Sequence, residues 1–255
     1  MLRRSLAVAA IDARILRRDL SPVLVMTVIP LVFVPFFIPG ARAQLIQSGY
    51  PSATGVEYAL PGLAVLFALL CVQQVLTAFF RDQQWGTWAR LRVSPASPSE
   101  LLIGKSLTAF IAQLAQLVVV FVGGAVIFGY RPAGSILGLA MVLIVFSAAM
   151  IGFALLLVAA FSSLELALVV GNVVAMAMAG LGGAFGPVES LPSWMTAVAP
   201  ASPAYWALAA IRAISLDGAD FVTVLPQLGM LTAFVALSVG AAVVLLKTRL
   251  RKERS

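Results

Sequence analysis

Residue types that could do chemistry are scarce in this chain and lie far apart. The 255 residues include no histidine and one cysteine, Cys71. This composition excludes histidine-based triads, disulfide frameworks and metal sites built from histidine or clustered cysteine. Asp217 and Asp220 stand three residues apart before an apolar run, a spacing that indicates helix-capping carboxylates rather than a catalytic pair. We therefore expect no enzyme active site here.

A fragment of a phosphate-binding motif occurs at Gly104-Lys105-Ser106. The complete P-loop motif requires a second glycine five positions before Gly104, where this chain has Ser99. A P-loop also follows a strand, whereas Lys105 begins an apolar run. We interpret Lys105 as an anchor for that run at the lipid headgroups, and we expect no nucleotide-binding site in this chain.

Six polar side chains interrupt the apolar runs: Gln73, Gln74, Gln113, Gln116, Glu165 and Asn172. Ionisable groups inside a membrane usually mark ion or proton pathways. Glu165 is the one carboxylate among the six, and it follows a short polar turn that solvent can reach. The glutamines and Asn172 are interpreted as groups that form hydrogen bonds between helices.

The apolar runs predict the architecture. Apolar residues make up 62% of the chain and charged residues 11%, against about 45–50% and about 25% in soluble domains. Six charge-free runs are each longer than the roughly 18 residues that suggest a membrane span; they are 20–41, 58–80, 106–130, 132–164, 166–188 and 221–246. This pattern predicts an all-α polytopic membrane protein with six transmembrane helices forming one domain, 1–255. A soluble enzyme is excluded.

Prolines and loops refine this prediction. Pro30, Pro35 and Pro39 are expected to bend or break the first helix, because each removes a backbone hydrogen bond. Residues 41–57 are expected to form a loop. The segment 186–220 is expected to contain short re-entrant helices on the outer side that dip partway into the membrane.

The distribution of charge predicts the orientation. Fourteen of the 17 lysine and arginine residues lie in residues 1–21, residues 81–105 or the tail 247–255. Basic residues near span ends stay cytoplasmic, so both termini are expected inside the cell. Residues 2–20 are amphipathic and rich in arginine, which favours an interfacial helix. The net charge of +7 therefore indicates membrane orientation, with lipids and not nucleic acid as the partner.

The stretch 81–105, which is predicted to be cytoplasmic, contains more basic, aromatic and proline residues than a simple connector requires. One side of a short helix here carries Arg81, Trp85, Trp88 and Leu91; Pro95 and Pro98 then break the chain, and Ser99 and Glu100 restart a helix. A helix followed by a rigid turn is suited to docking in a partner's groove. The alternative is an aromatic belt with ordinary anchoring cations.

Two segments resemble the permease subunits of type-2 ABC exporters, particularly the daunorubicin-resistance and sodium-export permeases. The first has Arg81, Gly86-Thr87, Leu91, Ser94-Pro95, Glu100-Leu101-Leu102 and Gly104-Lys105. The second has Gly182, Gly183, Pro187, Leu191-Pro192, Trp194, Pro200, Pro203, Tyr205 and Arg212. With the amphipathic first segment and the six spans, the resemblance covers essentially the whole chain.

This resemblance implies a dimeric transmembrane subunit that works with two copies of an ABC ATPase on separate chains, where ATP and magnesium bind. The second permease copy is identical or a paralogue, and this chain binds no cofactor. The resemblance also implies that 2–20 is a connecting helix and 81–92 a coupling helix. The residues expected to couple to the ATPase are Arg81, Trp85, Gly86, Thr87, Trp88, Arg90, Arg92, Pro95 and Glu100. Ala89 stands where the family usually has an acid, which leaves the arginines as candidate polar contacts.

The expected function is export of a lipophilic drug, natural product or lipid across a bacterial cytoplasmic membrane, consistent with antibiotic or multidrug resistance. Candidate residues on the substrate path are Phe33, Phe36, Phe37, Met176 and Met178, because phenylalanine and methionine adapt to varied apolar ligands. These residues can equally face lipid. The alternatives are a secondary carrier without an ATPase, and a membrane scaffold or sensor that recruits a partner through 81–105.

Overall fold

The computed structural model describes Ala10, Arg14, residues 21–84 and residues 98–252, with side chains described from 24 to 80 and from 103 to 248. These ranges contain helices and no strand. The helices are α1 (Ser21–Gln47), α2 (Val56–Leu70), α3 (Val72–Gln84), α4 (Pro98–Phe128), α5 (Ile136–Ala160), α6 (Leu164–Leu181), α7 (Ser193–Val198), α8 (Pro203–Leu216) and α9 (Leu225–Lys252).

Within the described part of the chain, six helical segments are long and apolar enough to cross a membrane. They are Leu24–Gln47, Val56–Phe80, Ile103–Phe128, Ile136–Ala160, Leu164–Leu181 and Leu225–Thr248. The prediction of an all-α protein with six spanning helices is therefore confirmed. The second of these segments consists of α2 and α3 together, because a turn at Cys71 separates them.

The first helix continues through all three of its prolines and ends at Gln47. A break at these prolines and a loop that begins at residue 41 are therefore wrong, while the bend predicted as the alternative to a break stays a prediction. The extension is stabilised by packing, since Ala41 and Leu45 are buried against Tyr58 and Ala59 of α2. In lipid an unpaired backbone group is expensive, so a continuous helix that loses single hydrogen bonds is favoured over a broken one.

The centre of the bundle is formed by α2 and α5. Phe146 and Met150 of α5 are fully buried, and α5 packs along α9 as well as against α3 and α4. Helix α6 approaches α2 and α3 through small residues four apart, namely Ala167, Gly171, Ala175 and Ala179, all of which are buried. Small residues at this spacing allow close contact between helices where lipid surrounds them.

Three connecting segments, 48–55, 129–135 and 182–224, meet at one end of the bundle, which we call the loop end. The backbone amide of Gly134 donates to the carbonyl of Ile214 over 2.9 Å, and that of Ser135 donates to Ala219 over 3.1 Å. Within the third segment, α8 is buried against α2, α5 and α9. The prediction of short helices in 186–220 is confirmed, while their insertion into the membrane stays a prediction.

Candidate functional site

The residues predicted to couple to an ATPase fall within and between α3 and α4 in the sequence. Helix α3 ends at Gln84 and α4 begins at Pro98, so both helices lead toward the segment between them. Arg81 and Glu100 lie on the described helical backbone. The remaining members lie outside the described residues: Trp85, Gly86, Thr87, Trp88, Arg90, Arg92 and Pro95. Their coupling role stays a prediction, as does the interfacial helix over 2–20.

Lys105 of α4 packs against α3 near the start of its span. Its side chain is 8% exposed, and its Nζ donates to the carbonyl of Ala78 over 3.2 Å. The same nitrogen lies 5.6 Å from the centroid of the Phe79 ring. A carbonyl and an aromatic face therefore compensate the burial of this cation, and its role as an anchor at the headgroups stays a prediction.

Two of the intramembrane glutamines join α4 to its neighbours. Gln116 accepts from the Cys71 thiol over 2.9 Å, and its Nε2 donates to the Met26 carbonyl over 3.1 Å. Gln113 donates to the carbonyl of Ala68 over 3.3 Å. The interpretation of these two glutamines as interhelical hydrogen-bonding groups is confirmed. Both act at the turn between α2 and α3, where backbone pairing is locally altered.

A cavity of about 290 Å³ lies near the loop end, between α1, α2 and the chain that follows α6. Its lining residues are Phe36, Phe37, Gly40, Ala41, Gln44, Tyr58, Ala59, Ala184 and Phe185. Two residues of the predicted substrate path, Phe36 and Phe37, therefore face a common space. We call it the aromatic cavity.

The other three residues of the predicted path lie elsewhere. Phe33 does not line the aromatic cavity but is next to it, with its ring centroid 6.3 Å from that of Phe36 and 6.5 Å from that of Phe67. Met176 is exposed on the outer face of α6. Met178 is half-buried, and its carbonyl accepts from Ser202 Oγ over 2.8 Å. The structure therefore divides the predicted path between α1 and α6.

A positively charged residue supports one wall of the aromatic cavity. The Arg212 guanidinium lies 3.9 Å from the centroid of the Tyr58 ring, and its Nη2 donates to the Gly183 carbonyl over 2.5 Å. The hydroxyl of Tyr58 donates to that same carbonyl over 3.2 Å. Burial lowers the pKa of Arg212, whereas Tyr58 and the nearby Glu189 act in the opposite direction. Gly183 has a φ of +84°, a conformation that favours glycine.

With this geometry established, the chain can be compared with known proteins. Residues 1–216 match the sequence profile of the ABC-2 type transporters. The chain belongs to this family. Similarity extends to the linearmycin resistance permease protein of Bacillus subtilis, at 24% identity over 209 residues, covering 80% of this chain and 53% of that protein.

The chain is also similar to a second protein, named as a probable multidrug ABC transporter permease of Escherichia coli. The two are 25% identical over 159 residues, which are 62% of this chain and 43% of that protein. The chain thus spans about half the length of the curated relatives it matches. Its six apolar helices together with the family identify it as a multi-pass membrane protein.

Sequence reasoning missed several residues of the permease's loop end. Tyr50 donates to Asp217 Oδ1 over 2.5 Å, so Asp217 pairs with a tyrosine instead of capping the last helix as expected. Asp220 accepts from the hydroxyl and the backbone amide of Thr223, within the turn that precedes α9 and not at the first residues of the helix, which begins at Leu225. The aromatic cavity also includes Gln44, Tyr58 and Phe185, and no local motif marked these three residues.

Proposed function

We propose that this chain is the transmembrane permease subunit of an ATP-driven exporter for a lipophilic drug, natural product or lipid. ATP and magnesium bind to separate ATPase subunits, two per complex, and a second permease copy or paralogue completes the assembly. The complex resides in the bacterial cytoplasmic membrane with both ends of this chain inside the cell. The observation that carries the proposal is the family match over residues 1–216.

The names of the relatives support the class of cargo. One is a linearmycin resistance permease and another a multidrug permease. The aromatic cavity supports the same class, because seven of its nine lining residues are aromatic residues or alanines. Such a surface accommodates apolar ligands of varied shape through dispersion and burial of area.

The placement of charge supports an ATP-driven mechanism over an ion-coupled one. In the six described spans, the charged side chains all lie in the first or last two turns: Arg42, Glu57, Lys105, Glu165 and Lys247. An ion-coupled carrier generally needs ionisable or coordinating groups near the middle of the bilayer. The mid-span glutamines Gln113 and Gln116 are already engaged with a thiol and backbone carbonyls.

The helices also provide a direct connection between the two ends of the bundle. Helix α3 ends and α4 begins at the segment that we propose binds the ATPase. Helix α2 precedes α3 in the same span and contributes Tyr58 and Ala59 to the wall of the aromatic cavity. The turn at Cys71 separates α2 from α3, so the two halves of this span can change their relative angle at one residue. Movement imposed by an ATPase on 81–105 would thereby reach the cavity.

The test is the ATPase activity of the permease co-purified with an ATPase encoded by a neighbouring gene, in lipid nanodiscs with candidate cargoes. One variant combines Arg90→Glu with Arg92→Glu, and a matched control combines Arg42→Glu with Arg131→Glu, which are exposed at the loop end. We expect the first variant to lose cargo-stimulated turnover by about tenfold or more through charge repulsion, and the control to retain it. Absence of a co-purifying ATPase, with transport that continues without ATP, would contradict the proposal.

A further inference from the structure

The aromatic cavity extends between two different depths of the membrane. Phe36 and Gln44 lie on α1 eight residues apart, which corresponds to about 12 Å along a helix axis at about 1.5 Å per residue. Gln44 is in the last turn of α1, close to the loop end, and Phe36 is more than two turns further into the apolar span. One end of the cavity is therefore at the membrane interface and the other among the acyl chains.

Along α1 the lining changes from Phe36 and Phe37 to Gln44 in this direction, and Phe185 lies in the segment 182–224 at the loop end. The rings of Phe36, Phe37 and Phe185 retain exposures of 77%, 38% and 52%, so the aromatic side chains of the cavity are accessible. The polar part contains the amide of Gln44 and the hydroxyl of Tyr58. In the described part of the chain, the Gln44 amide has no hydrogen-bond partner, while the Tyr58 hydroxyl already donates to Gly183.

The lining also lacks charge. None of its nine described residues is lysine, arginine, aspartate or glutamate. Arg212, behind the Tyr58 wall, is already engaged with the Tyr58 ring and the Gly183 carbonyl. A charged head group that moved from the loop end to the space beside Phe36 and Phe37 would lose hydration without gaining a counter-ion from the lining, which is strongly unfavourable. A hydroxyl or amide would instead exchange water for the Gln44 amide at little net cost.

We propose that the aromatic cavity is a binding site for a neutral amphiphile. Its apolar portion packs against Phe36, Phe37 and Phe185, and its hydroxyl or amide group forms hydrogen bonds with Gln44. The volume of about 290 Å³ is at the lower end of known ligand pockets, about 300–1,000 Å³. The site therefore holds the head and the first part of the tail, with the remainder in the bilayer.

This inference rests on the proposed function for the source of the ligand, which is the exported cargo near its exit or a bilayer lipid of the same chemistry. The binding itself is independent of ATP. Failure of the site and failure of the exporter proposal are therefore distinguishable. Labelling of the site measures the first, and ATPase stimulation measures the second.

The experiment is photolabelling of the purified full chain in phosphatidylcholine nanodiscs with a diazirine-bearing monoacylglycerol, followed by peptide mass spectrometry. A diazirine-bearing phosphatidylcholine, whose head group is charged, serves as the second probe. The variants are Phe36→Ala and Gln44→Leu, and the matched control is Trp194→Ala, an aromatic residue that is 63% exposed outside the cavity. Size-exclusion chromatography verifies that each variant is folded.

We expect monoacylglycerol to label the peptides that contain residues 36–44 and 184–185. Labelling should fall at least threefold in both cavity variants and remain unchanged in Trp194→Ala. Displacement by unlabelled diacylglycerol alone would identify a bilayer lipid as the ligand, and displacement by a cargo that stimulates the ATPase would identify the cargo; either supports the site. Labelling spread over the exposed faces of α1, α4 and α9, or equal labelling of the cavity by phosphatidylcholine, would overturn the proposal.

Discussion

The guanidinium of Arg212 stacks on the ring of Tyr58 at 3.9 Å, and both side chains donate to the carbonyl of Gly183. The contact joins α8, α2 and the turn after α6, three parts of the chain that are distant in sequence. A buried cation requires compensation, and a desolvated cation–π contact supplies about 2 kcal/mol. This arrangement therefore holds the wall of the aromatic cavity together.

Substitutions at Tyr58 test that conclusion. Tyr58→Phe keeps the ring and removes one hydrogen bond, so we expect a loss of about 1 kcal/mol in the free energy of unfolding. Tyr58→Leu also removes the aromatic face and leaves the guanidinium with the Gly183 carbonyl alone of these two partners, so we expect a loss of about 2–4 kcal/mol. The measurement is the thermal unfolding midpoint in detergent. Equal shifts for the two variants would show that the ring does not stabilise Arg212.

Close backbone approach at Gly62 gives a second prediction. A Cβ at this position of α2 would lie 2.6 Å from the Ala184 carbonyl oxygen, and a backbone atom cannot move aside as a flexible side chain can. We expect Gly62→Ala to lower the free energy of unfolding by about 1–3 kcal/mol through overpacking. The midpoint of thermal unfolding checks this.

The control for Gly62 is Gly240→Ala in α9, where a Cβ would meet nothing within 4 Å. This substitution is expected to be neutral or to stabilise by up to about 1 kcal/mol, because alanine has the higher helix propensity. If both variants shifted the midpoint by the same amount, the loss at Gly62 would reflect glycine replacement in general and not contact with Ala184.

The sequence predicts the six spans well because long charge-free segments can be stable as helices in lipid whatever their neighbours. Helix α8 shows how far this reasoning extends. The sequence in which it lies is as apolar as that of a span. However, Pro203–Leu216 has 14 residues, fewer than the roughly 20 needed to cross a bilayer. The prediction of short helices over 186–220 is therefore consistent with its length.

Properties that depend on packing could not be predicted in the same way. The helix-breaking tendency of Pro39 is overridden because Ala41 and Leu45 find a buried site on α2. Lys105 is buried because Ala78 and Phe79 of another helix accommodate it. These partners are distant in the sequence, so local patterns do not predict the contacts. The aromatic cavity was not predicted for the same reason.

The polar contacts at the turn between α2 and α3 give a third prediction. Gln116→Leu removes the hydrogen bonds to the Cys71 thiol and the Met26 carbonyl. Hydrogen bonds between membrane helices contribute about 0.6 kcal/mol on average, so we expect a loss of about 1 kcal/mol. The buried thiol should also react faster with a membrane-permeant maleimide. An unchanged rate of Cys71 modification would show that Gln116 does not hold this turn closed.

The loop end supplies a prediction about alkaline pH. Burial raises the pKa of Tyr130 to about 12 from 10.0, with the charge of Glu57 adding to the effect and the Ser215 hydrogen bond opposing it. Because the folded-state pKa is above the unfolded value, this contribution to stability is fully present below pH 10.0 and lost as the pH rises through about 12. The shift corresponds to about 3 kcal/mol at most.

Thermal unfolding midpoints measured from neutral to strongly alkaline pH check the role of Tyr130. The free energy of unfolding of Tyr130→Phe should be lower by about 1 kcal/mol at neutral pH, because the 2.6 Å hydrogen bond to Ser215 is lost. The unfolding midpoint of this variant should then fall much less steeply as the pH rises. Tyr50→Phe is the matched comparison, since hydrogen bonding to Asp217 also raises the pKa of Tyr50 but Tyr50 is only half-buried. Tyr50→Phe should keep most of the fall in the unfolding midpoint at high pH. If it removed as much of the decline as Tyr130→Phe, burial of Tyr130 would not be the cause.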